Sequence, residues 1–425
     1  MPAPTPIPTI GFAPAPTEHA WLRDRRAAAA ARFVERGMPS PDEDEWRHSR
    51  VAELDLSHFP PAEQPSPESD AERAASLPVI GAIGEFATLA VTYDGYLVRR
   101  EGEISGLTIT DLSQAAQSTD LDRAGPDVFA ELNTAHAPSP LLIEAAAGAV
   151  IEKPVVLIHW TGQEGRSTFP RTVVRAGQAS QLTVVEVWLS DDVQALVVPR
   201  TELDADRDAI LRHVVLSDLG PRVWQISSST ARSGQGGSVI SGTVALGGEY
   251  ARFRIDADLL EEGGEAQLIA AYFGDGDQTH DFRTLQDHTG KRTTSNLVFK
   301  GAVTGTSRSV YSGLIRVNPG ASATSAFLTN RNLVLSADAT AYSVPNLEIV
   351  NENDLRSCGH AATSGPIDAD QVFYLESRGV PTEVARRLII LGFFDDVLAR
   401  FPVDGLRTIA RDRVAAKLLT TAGVA

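Results

Sequence analysis

The chain is almost free of sulfur, with one cysteine and two methionines in 425 residues. A single thiol excludes an internal disulfide framework and points to a reducing compartment, the cytoplasm, as its setting. No apolar run approaches the ~20 residues that a membrane-spanning helix needs. The opening MPAPTPIPTIGFAPAPTEHAW has no basic segment followed by an apolar one, which argues against a secretory leader. An excess of positive charge is missing as well. At a formal net charge of −17 the chain is a poor match for nucleic acid or anionic lipid, both of which demand a basic face. Aromatic residues make up only 6%, which, with no leader, weighs against a secreted carbohydrate-binding or lyase solenoid.

What remains is an ordinary globular composition, 43% apolar and 22% charged, in a chain long enough for more than one structural unit. Three regions differ in pattern, and we divide the chain as 1–78, 79–360 and 361–425. In the first, Thr17 is a helix cap, Trp21, Leu22, Ala29 and Phe33 recur on one side, and Gly37 and Pro39 stop the helix. SPDEDEW then reads as a capping box, with Ser40 as cap and Glu43 reaching back. Pro60 to Pro78, rich in Pro, Glu, Ser and Ala, reads as a partly mobile linker.

In the long middle, apolar residues alternate with period two, as in QLTVVEVWLS, GSVISGTVAL and YARFRIDADL, and Gly, Asn and Asp clusters punctuate the runs. Only TELDADRDAILRHVVL suggests a short helical turn. So many short strands without helices leave a sandwich, a barrel or a solenoid, and the small residues recurring inside strands favour the solenoid. No strict repeat is visible.

The third region is helical. Asp368 and Gln371 pair as a cap, Gly379 closes the first helix and Pro381 opens the next. Val384, Leu388, Leu391, Phe394 and Leu398 line one face of that second helix, widened by Ile389, Val397 and Phe401. The last helix carries Leu406, Ile409, Ala410, Val414 and Leu418.

The chemistry concentrates at Cys358-Gly359-His360. On a strand, the thiol and imidazole share a face. They are then ligands for a soft or borderline metal, a nucleophile with its base, or a buried cysteine beside a surface histidine. Two ligands do not complete a site that wants four, so a metal site here needs a second chain. A hydrolase needs an orienting acid, and Glu352 and Asp354 are the nearest in sequence. GQGG at Gly234–Gly237 lacks the Lys and Ser/Thr of a phosphate loop and reads as a turn. His280 and His288 fall in GDGDQTHDFRTLQDHTG, where metal ligation is open but a solvated loop is favoured, while Trp188 and Trp224 read as core or interface aromatics.

Several motifs fall in order: RSV at Arg308–Val310, NRNLVLS at Asn330–Ser336, PNLEI at Pro345–Ile349, CGHAATSGPID at Cys358–Asp368 and FYLESRG at Phe373–Gly379. With LNTAHA at Leu132–Ala137 and ARRLIILGFFDDVL at Ala385–Leu398, the chain from about Asp127 onward resembles the SufB/SufD family of iron–sulfur cluster assembly proteins. The lone cysteine makes it most similar to the D-type subunit. The resemblance implies a right-handed parallel β-helix flanked by helical domains. It implies pairing with a B-type scaffold through β-helix edges, and docking of a SufC-type ATPase on the C-terminal helices around Arg386, Arg387, Leu391, Phe393 and Phe394. It assigns His360, with Cys358 beside it, to the assembly interface, holding iron or a nascent cluster transiently and none stably alone. It also implies a subunit that is not itself an enzyme. A homodimer in isolation, a B-type paralogue and a lone Cys–His hydrolase stay open as alternatives. The family form SHGAT is departed from at Gly359 and Ala361, and the alanine argues against a required positive φ there.

Overall fold

The computed structural model describes residues 19–65, 78–116, 124–350 and 355–421. Successive strands alternate between two sheets, of 10 and 11 strands, wound as a β-solenoid of about 8 turns. Neighbours stack parallel and in register: Leu211 sits beside Val239, then Ala266, Ser295, Ala326 and Cys358. Interior positions are therefore columns of like residues, and the column Leu182–Leu211–Val239–Ala266 is fully buried.

Both outer faces are covered. Val185, Val187, Val214, Leu216 and Phe273 on the 10-stranded sheet pack against Phe394, Val397, Leu406 and Val414 of the C-terminal helices Thr382–Leu398 and Asp404–Thr421, and against Phe401 in the turn between them. A strand buried on both faces loses its alternation, which is why TVVEVW is almost continuously apolar. On the other sheet, Phe33, Trp46, Val51, Leu56 and Phe129 of the N-terminal region cover Phe169, Leu196, Trp224 and Tyr250. Arg252, fully buried against Asp281 at 3.0 Å, lies 3.8 Å over the Trp46 ring and donates to the Glu45 carbonyl.

The two ends of the solenoid differ. At the N-terminal end antiparallel strands close each sheet: Tyr96–Glu101 on Thr88–Tyr93, and Leu107–Asp111 on Leu141–Ala145. At the C-terminal end the last strands, Thr340–Ile349 and Ser357–Gly365, each have a partner on one side only.

Several local expectations change. TELDADRDAILRHVVL holds no helix but two strands, Arg200–Ala205 and Ile210–Asp218, around a turn at Asp206–Asp208. The capping box forms, with the Ser40 amide donating to Glu43 at 2.9 Å, but only 3₁₀ turns follow. Thr17 lies outside the described residues, and the first helix, Ala20–Arg36, has His19 at its N-cap. Of the linker, Pro61 and Ala62 bridge to Ser167, so its start is pinned to the solenoid. His280 and His288 are fully buried in the strand Thr279–His288 rather than solvated. Desolvation lowers His288 to about 4, and its ring is bracketed by Thr293 and Ser295. On the helix Thr382–Leu398 the buried set is Ala385, Ile390, Phe394, Val397 and Leu398, while Leu388 faces solvent.

Candidate functional site

The open end of the solenoid carries the residues singled out above. Cys358 and His360 lie on the edge strand Ser357–Gly365, in register with Ala326 and Leu328. Both of those are buried in the interior cluster, so the thiol and imidazole share the face that looks into the bore. Cys358 packs half-buried on that cluster; His360, one step further along, is exposed. Burial pushes the Cys358 thiol up, against a smaller downward pull from the Gly359 backbone. Glu352 and Asp354 lie outside the described residues. Among the described residues no group of three His, Cys, Asp or Glu side chains is placed to hold a metal ion.

On the outer face of the same strand, Gly359 is in register with Phe327, and a Cβ built there would stand 3.5 Å from the Phe327 ring. The aromatic covers the glycine, the usual remedy for a bare position in an edge strand. Neither Gly359 nor Ala361 has a positive φ. The rim is apolar: Tyr342, Val344, Leu347 and Ile349 on the edge strand Thr340–Ile349 are exposed, as is Phe327. His48, from the N-terminal region, stacks on Tyr342 with ring centroids 5.1 Å apart.

The C-terminal helices present a second surface. The helix Ala369–Ser377 buries no residue, and Phe373 and Tyr374 are 69% and 57% exposed. Arg386 and Arg387 face solvent, and Leu391 is half-buried. Phe393 is also half-buried, with the Lys300 ammonium 4.7 Å above its ring. Phe394 instead points inward onto Phe273 and is fully buried. Lys300 binds Asp396 at 2.6 Å and Lys417 binds Asp275 at 2.5 Å, fastening the helices to the solenoid.

Sequence reasoning missed a buried ionic centre. Glu186 is inward-facing, with His213 Nε2 at 2.9 Å and His159 Nε2 at 3.3 Å from its two oxygens. Burial alone would raise its pKa, but the two histidines hold the carboxyl well below its ordinary range. The signal was one acid inside the run TVVEVW.

Residues 159–393, more than half of the chain, match the SufBD core domain of the SUF system for FeS cluster assembly. This chain belongs to the SufBD family. It is 32% identical over 293 residues to an iron–sulfur cluster assembly SufBD family protein of Mycobacterium tuberculosis, covering 67% of this chain and 72% of that one. It is 26% identical over 393 residues to the iron–sulfur cluster assembly protein SufD of Escherichia coli, covering 90% of both chains. The SufD of Bacillus subtilis is 24% identical over 410 residues, 92% of both. The expected family and β-solenoid are borne out, and the SufBD chain is a component of iron–sulfur cluster assembly. No helix among its described residues is long and apolar enough to cross a membrane.

Proposed function

We propose that this chain is the D-type subunit of a heteromeric cytoplasmic SUF complex, a non-enzymatic partner of a B-type scaffold and a SufC-type ATPase. The observation that carries the reading is the uncapped terminal rung, which puts Cys358 and His360 on one of its two bare edge strands, inside an apolar rim. A bare edge is a template for another chain's strands. A scaffold strand added beyond Ser357–Gly365 supplies the missing ligands, and iron and sulfide, as substrate, meet His360 and Cys358 there. Coordination by the thiol requires its deprotonation, so loading releases a proton and strengthens as pH rises. The single cysteine and near full-length alignment with two SufD proteins favour the D type over the B type.

The ATPase docks on the C-terminal helices through Arg386, Arg387 and the exposed Phe373 and Tyr374, with Leu391 and Phe393 at the margin; buried Phe394 supports the helix from beneath. Its ATP-driven closure moves helices fastened by Lys300 and Lys417 and loosens the scaffold interface.

The test is co-expression with the B-type scaffold and ATPase of the same organism, with wild type and His360→Ala compared by light scattering and by bound iron and sulfide. A heteromer that forms in both cases but loses most of its iron in the variant supports the reading. Absence of association, or full iron in the variant, overturns it.

A further inference from the structure

The solenoid interior holds a second buried polar cluster near its open end. Separate from the Glu186–His213 centre and the Ser217–Gln225 pair on earlier rungs, it begins at the strand Glu265–Gly274. Tyr272, fully buried, donates from its hydroxyl to Asn332 Oδ1 at 2.6 Å. Asn332 Nδ2 donates to Asn330 Oδ1 at 2.9 Å, and Asn330 Nδ2 donates back to the Tyr272 oxygen at 3.0 Å. The three close a ring in which each donor meets one acceptor. Its spare valences reach outward: Asn330 Oδ1 also accepts from Ser343 at 2.8 Å, and Asn332 Nδ2 also donates to Ser364 at 3.3 Å. Ser343 lies on one edge strand and Ser364 on the other.

Two features show that the ring is built rather than incidental. Tyr272 lies on the strand three before the last of its sheet, and its ring must cross the intervening strand Thr294–Val303 to reach Asn332. The residue in register there is Gly301, and a Cβ built on it would lie 1.8 Å from the tyrosine ring. The donor count is also specific to asparagine, since an aspartate at 330 or 332 cannot donate. Apolar stacking alone tolerates sliding, whereas paired donors and acceptors fix one register.

We propose that Tyr272, Asn330 and Asn332 are positioning residues, an interior latch that holds both edge strands of the open rung at the spacing where Cys358 and His360 meet iron. This rests on the assembly-interface reading given above. Ser364 follows His360 by four residues on the same face, so losing the bond to Ser364 frees the strand that carries the imidazole.

The experiment uses Cys358 as its own reporter, because a thiol reagent has no other cysteine to label. The full-length chain is compared with Tyr272→Phe, which deletes one oxygen, and with Asn330→Ala. Ser217→Ala, which removes an interior bond to Gln225 far from the open end, is the control. Iodoacetamide labelling of Cys358 is followed against pH below the unfolding range. The latch variants label about ten-fold faster, the loss of roughly one hydrogen bond, with the midpoint pH moving down toward that of a free thiol. The control matches wild type. Rates and midpoints within two-fold of wild type in both latch variants overturn the proposal.

A second arm reads iron and sulfide in the complex with the scaffold and ATPase. Lower iron in Tyr272→Phe with assembly intact supports positioning. Full iron in Tyr272→Phe alongside lost iron in His360→Ala overturns the latch but leaves the interface reading standing. Full iron in both variants overturns the interface reading, and the latch with it.

Discussion

Three residues carry consequences of their own. Glu186 is buried between two histidines, so Glu186→Gln leaves a buried ion pair half made. A loss of about 3–5 kcal/mol is expected, read from denaturant midpoints at pH 7. Glu202 gives a pH prediction. Burial would raise its pKa, but Arg171 and Arg200 hold it at about 2. A depressed carboxylate contributes stability that is complete above its unfolded value of about 4.3 and disappears as pH falls through the folded one. Thermal unfolding therefore drops between about pH 4.5 and 2, and Glu202→Gln flattens that drop. At Gly359, φ is not positive and the added Cβ meets Phe327 at an ordinary contact distance. Gly359→Ser leaves Tm within about 2 °C, the range of a neutral surface change.

At the scale of elements, the C-terminal helices are bound as much by apolar burial as by their lysines. Phe394→Ala empties a site against Phe273 and costs about 3–5 kcal/mol of docking. The expected readout is faster amide exchange in Thr382–Leu398 and Asp404–Thr421 with the solenoid strands still protected. These elements also show where sequence reading succeeds and fails. The second helix was legible from its period, and Phe394, Val397 and Leu398 of its expected apolar face are buried, with Leu388 the exception. Leu388 is apolar enough for the core yet is 50% exposed, while Ala385, which the apolar pattern did not single out, is fully buried. His280 and His288 were read as loop because Gly and Asp crowd the turn before them. The strand begins at Thr279, and its inward positions accept histidines that desolvation keeps neutral.

For the whole molecule, alternation and turn residues were enough to indicate a solenoid, but its repeat was not visible. Stacked positions Leu211, Val239, Ala266, Ser295, Ala326 and Cys358 are separated by unequal steps, because the turns differ in length while the strands keep register. A fixed period in three dimensions thus leaves none in the sequence. The same-face relation of Cys358 and His360 was legible, since it depends only on strand geometry. The interior ring was not, since Tyr272 and Asn332 are 60 residues apart and meet only through winding. At this scale the assembly reading predicts that Val344→Lys with Leu347→Lys, placing charge on both faces of one bare edge, weakens scaffold binding more than ten-fold. Analytical ultracentrifugation reads the affinity, and an unchanged Tm shows that the chain itself still folds.

The unequal ends have a further meaning. A rod that can add strands at both tips is a monomer for polymerisation, and its natural product is a fibre of unlimited length. Here one tip finishes in short antiparallel strands bearing Arg99, Arg100 and Glu101, which offer a poor template. For strand addition the described residues leave one free tip, apart from the helical surface proposed for the ATPase. On the assembly reading, a partner stoppered in the same way closes the product at two solenoids, so the stopper at the opposite end limits the length of the product.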